Sequence, residues 1–474
     1  MRPRTVAFAA DRPRQPMDST GEWIFKHQEG HRAMDCFRIE GGRRLSGRVA
    51  VEGSKNASLP LMAAALLSDG PIDLAGIPDL SDTANMLRLL EELGLEISRP
   101  SDGVTRFRTI DSSAVHARYD IVRTMRASIC VLGPLLARRG KAVVSMPGGC
   151  AFGSRPVDLH LRGLEALGAK VTLEGGDIHC SAERLRGTTI FLGGPFGSTV
   201  LGTANIMSAA TVAKGTTIIE SAACEPEIAD LARLLNSMGA KIEGAGGPRL
   251  VIHGVDELGP AVHQVMPDRI VAGTYAAAAA VTNGDVVIDE FPYDSLLAAI
   301  DRFNEIGVHV ERLDASQESG RCSVRVTCEG KLRPTIITTQ PHPGFPTDLQ
   351  AQFMTLLCLA RGNSIITEKI YPERFMHVSE LARMGAELIR QGPTVMVVGG
   401  GELVGAPVMA SDLRASACLV MAGLAARGET IVNRVYHLDR GYVRMEEALN
   451  SLGASIERLD ERSLSDGELP SSDA

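Results

Sequence analysis

Two kinds of apolar segment alternate along most of the chain. One kind is apolar almost all round, as in residues 57–67 and 415–425, and a helix of that composition is buried on most sides. The other is amphipathic: in LRLLEELG, Leu87, Leu90 and Leu93 recur at helical spacing and give a single apolar face. Each amphipathic helix closes on a Leu-Gly-Ala-like turn and runs into a β-branched strand. The turns are Leu93-Gly94-Leu95, Leu167-Gly168-Ala169, Met238-Gly239-Ala240, Ile306-Gly307-Val308, Met384-Gly385-Ala386 and Leu452-Gly453-Ala454. The glycine sits where a helix end favours a left-handed backbone. The turns recur roughly every 70 residues, longer than the ~20–50 residues of solenoid repeats. The pattern therefore predicts an α/β fold of six units in closed domains, split most simply into two groups of three. Ala-rich helices would lie beneath outward-facing sheets, and a cleft between two such domains is a natural ligand site.

Composition narrows the class. A chain of 474 residues suits two domains of about 200 residues each. Apolar residues at 44% and charged residues at 22% suit a soluble globular protein. The net charge of −8 comes without a basic block, which argues against a nucleic-acid partner. Nine cysteines without a CxxC pair suggest reduced thiols and a cytoplasmic location. No apolar run reaches the length of a membrane span, and residues 6–10 are too short for a signal-peptide core. Residues 1–33 and 460–474 read as disordered tails.

Four loops carry the polar residues of interest. Gly53-Ser54-Lys55-Asn56-Ala57 precedes a buried helix, so Lys55 stands where helix amides already favour anions; an exposed capping loop is the alternative. Pro147-Gly148-Gly149-Cys150-Ala151-Phe152-Gly153-Ser154-Arg155 flanks a cysteine with glycines, which suits a mobile exposed loop. Arg155 nearby would stabilise a thiolate, although a lone cysteine is more often an inert buried residue. Asp348, in Pro346-Thr347-Asp348, could be a simple helix cap. The last group is Arg374, Asp412-Leu413-Arg414 and Asp439-Arg440-Gly441-Tyr442. With Arg126 and Arg155 it places arginines at equivalent points of different units, as convergence on one anion would require. Metal-ligand spacing, a phosphate-binding P-loop and a GxSxG elbow are all missing from the sequence.

Taken in order, GSKNA, RASICVLGPLLARRG, PGGCAFGSRPVDLHLRGLEALGA, FPTDLQAQF, RFMHVSELARMGA, DLRASACLVMAGLAA and YHLDRGY resemble the UDP-N-acetylglucosamine enolpyruvyl transferases across about residues 35–458. That resemblance implies two inverted α/β domains, each of three repeats about a pseudo-threefold axis, with the active site in the cleft between them. It places residues 55–266 in a first domain carrying the Cys loop, and 34–54 plus 267–459 in a discontinuous second one. It implies phosphoenolpyruvate and a uridine nucleotide as substrates, with no metal or other cofactor, and leaves the oligomeric state open.

The resemblance also assigns roles. Lys55 and Asn56 would meet both substrates. Cys150 would protonate the methylene carbon and Asp348 would be the base. Arg126, Arg155, Arg414 and Arg440 would bind anions. Arg155, Pro156, Val157, Asp158 and Leu159 would hold the uridine. His160, Ile370, Arg374 and Asp412 complete the substrate contacts, with Asp82 and Glu225 as supporting positions. Two segments depart from the family pattern. Where a Ser-Val-Gly-Ala-Thr strip meets the nucleotide diphosphate, this chain has Gly197-Ser198-Thr199-Val200-Leu201-Gly202-Thr203-Ala204-Asn205, in a different order and with an apparent extra residue. Tyr371-Pro372-Glu373-Arg374 replaces Phe-Glu-Asn-Arg. The leading acceptor is the 3-hydroxyl of UDP-N-acetylglucosamine, the first committed step of peptidoglycan synthesis. Another uridine nucleotide such as UMP, and a non-catalytic nucleotide-binding paralogue, are the alternatives.

Overall fold

A computed structural model describes residues 35–146, 157–313 and 320–461. The expected tail 1–33, and all of 460–474 beyond Glu461, lie outside the described residues. Asp460, assigned from sequence to the acidic tail, instead ends the Ile456–Asp460 strand and pairs with Asp35.

Among the described residues, six mostly buried helices open the repeated units or lie at their centre: Lys55–Ala64, Leu132–Arg139, Val200–Ala210, Arg269–Val281, Gln350–Cys358 and Leu413–Ala425. In Arg269–Val281 every residue is buried, as its all-round apolar composition demands. Six four-stranded sheets pack over these helices among the described residues. Strands such as Val104–Thr109 alternate buried and more exposed positions, so one face meets the core and the other meets solvent. The six turn glycines, Gly94, Gly168, Gly239, Gly307, Gly385 and Gly453, all have positive φ, the conformation that the repeated motif requires.

The three units of each half are linked in a ring. Each four-stranded sheet contains one parallel pair, made by a strand that links one unit to the next. His116–Ala117 joins Lys141–Ser145, Thr189–Phe191 joins Thr216–Glu220, and Ala261–Gln264 returns to Ile72–Ala75 in the first unit. In the other half, Asp35–Glu40 inserts between Glu429–Asn433 and Ile456–Asp460, so the two ends of the described chain share a sheet. One apolar core runs from Ala57 to Met266. The other combines residues Phe37 to Val51 with Ile270 to Ile456.

The chain passes between the two cores twice, side by side. Ser54 N donates to Met266 O at 2.7 Å and Asp268 N to Glu52 O at 2.9 Å. A Cβ on Gly53 would lie 1.9 Å from the Gly76 carbonyl oxygen, so the crossing has no room for a side chain there. The Asp268 carboxylate caps a helix in each half. It accepts from Lys55 N at 3.2 Å, and from Ile270 N and Val271 N at 2.8 and 3.1 Å.

Candidate active site

The polar side chains singled out in the sequence collect at the N-terminal ends of the buried helices. Lys55 opens the first helix, Arg126 opens the short 3-10 turn before Leu132–Arg139, and Thr199 caps Val200–Ala210. Arg269, Asp348 and Arg414 hold the corresponding places in the second half. Because free amides and the helix dipole favour negative charge at such ends, the shared architecture already biases this region toward anions.

Asp348 lies inside the Thr347–Leu349 3-10 turn, and its carboxylate is used by two arginines. Arg374 Nη1 is 2.7 Å from Oδ1 and Arg414 Nη2 is 3.1 Å from Oδ2. The Asp348 side chain remains 26% exposed, while those of Arg374 and Arg414 are 8% and 3% exposed. Burial alone would raise the Asp348 pKa, but Arg414 and Arg374 outweigh it and hold the carboxyl well below the usual range. Glu368 organises the same corner. Its Oε1 accepts from Thr339 Oγ1, Ile370 N and Tyr371 N, and its Oε2 from Thr347 Oγ1. Ile370 is half-buried on this turn.

A second ionic group draws on both halves. Lys55 Nζ lies 2.6 Å from Asp82 Oδ2, and Arg440 Nε lies 3.1 Å from Asp82 Oδ1. Burial would raise the Asp82 pKa, but Lys55 and Arg440 outweigh it and lower the net value. Nearby, buried Arg269 pairs with Glu227, with Nε–Oε1 at 2.9 Å, and His342 N donates to Glu225 Oε1 at 3.4 Å. Burial pushes the Glu225 carboxyl up, against the opposing charge of Arg269.

The remaining sequence candidates take varied places. Asp412 is a helix cap, with Oδ1 accepting from Arg414 N at 2.9 Å and Ala415 N at 3.2 Å. It therefore aims Arg414 through the backbone. Asn56 is half-buried in the first turn of its helix. Val157 is buried, Asp158 exposed and Leu159 half-buried at the start of Asp158–Ala166. Cys150, Arg155 and Pro156 lie outside the described residues.

His160 is only 4% exposed and its Nδ1 is 2.8 Å from Asn205 Nδ2. Asn205 Oδ1 accepts from Gly133 N, so the Asn205 amide donates and His160 carries its proton on Nε2. Burial, reinforced by Arg126, lowers its pKa to about 4. Burial also takes His377 to about 4, with Asp412 opposing. Between pH 6.5 and about 4 the unfolded chain binds protons that these folded imidazoles refuse. Stability should therefore fall as pH drops through that window. In melting curves over the same range, His160→Asn and His377→Asn should each flatten the slope; a slope unchanged from wild type in both variants would contradict this.

Sequence reasoning missed Glu368, Glu227, Asp268 and Arg269. Asp268 caps a buried helix as Asp412 does, with Arg269 one residue after its cap and Arg414 two, so comparing units was the signal that could have found them. Glu368 and Glu227 carry no such local mark.

Comparison with known proteins identifies the family and the fold. The EPSP synthase (3-phosphoshikimate 1-carboxyvinyltransferase) family model matches residues 39–449. UDP-N-acetylglucosamine 1-carboxyvinyltransferase of Trichlorobacter lovleyi is 50% identical over 429 residues, covering 90% of this chain and 100% of that protein. The enzyme of the same name from Magnetococcus marinus is 51% identical over 432 residues, with the same coverage. The chain belongs to the UDP-N-acetylglucosamine 1-carboxyvinyltransferase family. Among solved structures, the enolpyruvyl transferase NikO from Streptomyces tendae superposes with a TM-score of 0.79 at 26% identity, covering 90% of this chain and 99% of that one. EPSP synthase from Acinetobacter baumannii shares the fold, with a TM-score of 0.70 at 19% identity over 90% of this chain and 100% of that one.

Within the family fold, the two departing segments have clear local roles. Thr199 Oγ1 accepts from Gly202 N at 3.2 Å and caps Val200–Ala210. A Cβ on Gly202 would stand 2.4 Å from Thr199 Cγ2, so the threonine cap and the glycine belong together. In the other segment, Arg374 N donates to Tyr371 O at 2.8 Å, and this turn delivers Arg374 to Asp348.

Proposed function

We propose that this enzyme transfers the enolpyruvyl group of phosphoenolpyruvate to the 3-hydroxyl of UDP-N-acetylglucosamine, releasing phosphate. The observation that carries the chemistry is the pair of ionic groups, Arg374–Asp348–Arg414 and Lys55–Asp82–Arg440. Phosphoenolpyruvate carries nearly three negative charges, and planar guanidinium forks match its carboxylate and phosphate. Without substrate, Asp348 and Asp82 hold these cations in place. An arriving anion competes for them.

That competition bears on the base. A carboxylate clamped by two arginines is ionised but weakly basic. As the substrate anion draws Arg374 and Arg414 toward itself, the Asp348 pKa rises and its base strength appears once phosphoenolpyruvate is bound. Asp348 then takes the proton of the attacking hydroxyl while the hydroxyl oxygen bonds to C2 of the enolpyruvyl unit. Cys150 gives a proton to the methylene carbon, producing a tetrahedral intermediate whose charge the same cations stabilise. Loss of phosphate and of one methyl proton restores the double bond, now on the acceptor. The division into a first domain of residues 55–266 and a second of 34–54 plus 267–459 is supported by the two apolar cores, and the Lys55–Asp82–Arg440 group bridges the two.

The acceptor rests on the relatives named above, which are about half identical over nine-tenths of the chain. This reading places the protein in cell-wall synthesis in the cytoplasm. Among the described residues no helix is long and apolar enough to cross a membrane, and no group of three or more His, Cys, Asp or Glu is arranged to hold a metal. The test is phosphate release from phosphoenolpyruvate with UDP-N-acetylglucosamine and, in parallel, with UMP. Release with UMP alone would move the acceptor, and none with either would leave only nucleotide binding.

A further inference from the structure

Behind Arg414 lies a buried polar knot that none of the assigned roles uses. The Tyr442 hydroxyl is 3.2 Å from Arg414 Nη1, 2.9 Å from Thr274 Oγ1 and 3.3 Å from Gln352 Nε2. Tyr442 is 1% exposed, and Thr274 and Gln352 are fully buried. The proton count fixes the directions. Thr274 Oγ1 donates its one proton to Ile270 O at 2.7 Å, so the Tyr442 hydroxyl donates to Thr274. Its lone pairs are then left to accept from Arg414 and Gln352. The ring takes part as well, since the Arg414 guanidinium carbon stands 5.5 Å from its centroid.

Tyr442 is itself firmly held. Its N–H donates to Leu438 O at 2.9 Å. Arg434 and Arg444, on either side of its segment, adopt left-handed backbone at φ 61° and 40°, a conformation that persists in non-glycine residues only where surrounding contacts enforce it. Arg458 ties the segment down at its middle and just beyond Arg444, pairing with Asp439 at 2.7 Å and Glu446 at 2.7 Å. One short segment therefore sends Arg440 across to Asp82 and Tyr442 back to Arg414.

We infer that Tyr442 is a positioning residue that holds the Arg414 guanidinium divided between the protein and the site, with Nη1 on the tyrosine hydroxyl and Nη2 turned to Asp348 and the phosphoenolpyruvate anion. Without the hydroxyl, a buried Nη1 loses its acceptor, and the guanidinium turns more fully onto Asp348, the carboxylate against which the substrate competes. This inference rests on the proposed phosphoenolpyruvate site.

The test uses the full chain as wild type, Tyr442→Phe and Thr274→Val. Phenylalanine keeps the ring under Arg414 and deletes only the oxygen. Valine removes another partner of that oxygen without touching Arg414. For each protein, the KM values for phosphoenolpyruvate and UDP-N-acetylglucosamine, the calorimetric Kd for phosphoenolpyruvate and the melting temperature are measured. Tyr442→Phe should raise KM and Kd for phosphoenolpyruvate about tenfold or more, the scale of a lost hydrogen bond to a charged group, and leave KM for the nucleotide within about twofold. Thr274→Val should lower the melting temperature without that affinity loss. Wild-type phosphoenolpyruvate affinity in Tyr442→Phe, or the same affinity loss in both variants, overturns the inference and leaves the proposed function standing. If wild type binds phosphoenolpyruvate without turnover and Tyr442→Phe weakens that binding, the inference holds and the proposed reaction fails. Absence of phosphoenolpyruvate binding by wild type overturns both.

Discussion

Asp348→Asn is expected to lower kcat for phosphate release by about a thousandfold, in the range for loss of a positioned general base. Asparagine keeps the shape and one acceptor oxygen but cannot take the proton of the attacking hydroxyl. The variant also removes the negative charge from between Arg374 and Arg414. Those cations then meet phosphoenolpyruvate without an internal competitor, so KM for phosphoenolpyruvate should hold or fall while kcat collapses. That split separates loss of the base from general damage to the site, which would raise KM. Steady-state kinetics decide it: a kcat within about tenfold of wild type would remove Asp348 as the base.

The second large effect is expected for Cys150→Ser, with turnover falling by about a hundredfold or more and nucleotide affinity unchanged. A hydroxyl is too weak an acid to protonate the methylene carbon. The cysteines within the described residues offer no substitute. Cys130 and Cys358 are buried, and burial pushes both thiols up to about 12. Burial, together with Glu225, also raises the half-buried Cys224. Cys150, with glycine before it and Arg155 close behind, is the cysteine whose sequence setting favours an acidic thiol able to give up its proton. Full turnover in Cys150→Ser, measured by phosphate release, would take this residue out of the mechanism.

The architecture was legible because it repeats. Six glycine turns mark six units, and the all-round apolar helices identify themselves by composition. The ring closure was not, since pairing Ala261–Gln264 with Ile72–Ala75 depends on contacts nearly two hundred residues apart. At the site, Lys55, Asp348 and Arg414 could be picked out because each stands at a helix start. What each one faces could not. Asp348 reads first as a cap, and only the folded chain brings Arg374 and Arg414 to its two oxygens. Asp412, a substrate contact by family likeness, also caps its helix, a role that only the folded chain displays. Tyr442 and Glu368 act through buried hydrogen bonds to residues remote in sequence, and no local pattern announces such partners.

The central claim is enolpyruvyl transfer to a uridine sugar nucleotide, and mass spectrometry of the acceptor after incubation with phosphoenolpyruvate tests it most directly. The account predicts that UDP-N-acetylglucosamine gains one carboxyvinyl group in place of a hydroxyl hydrogen, with one phosphate released for each nucleotide modified. An unmodified UDP-N-acetylglucosamine under conditions where UMP is converted, or where neither is, would contradict it.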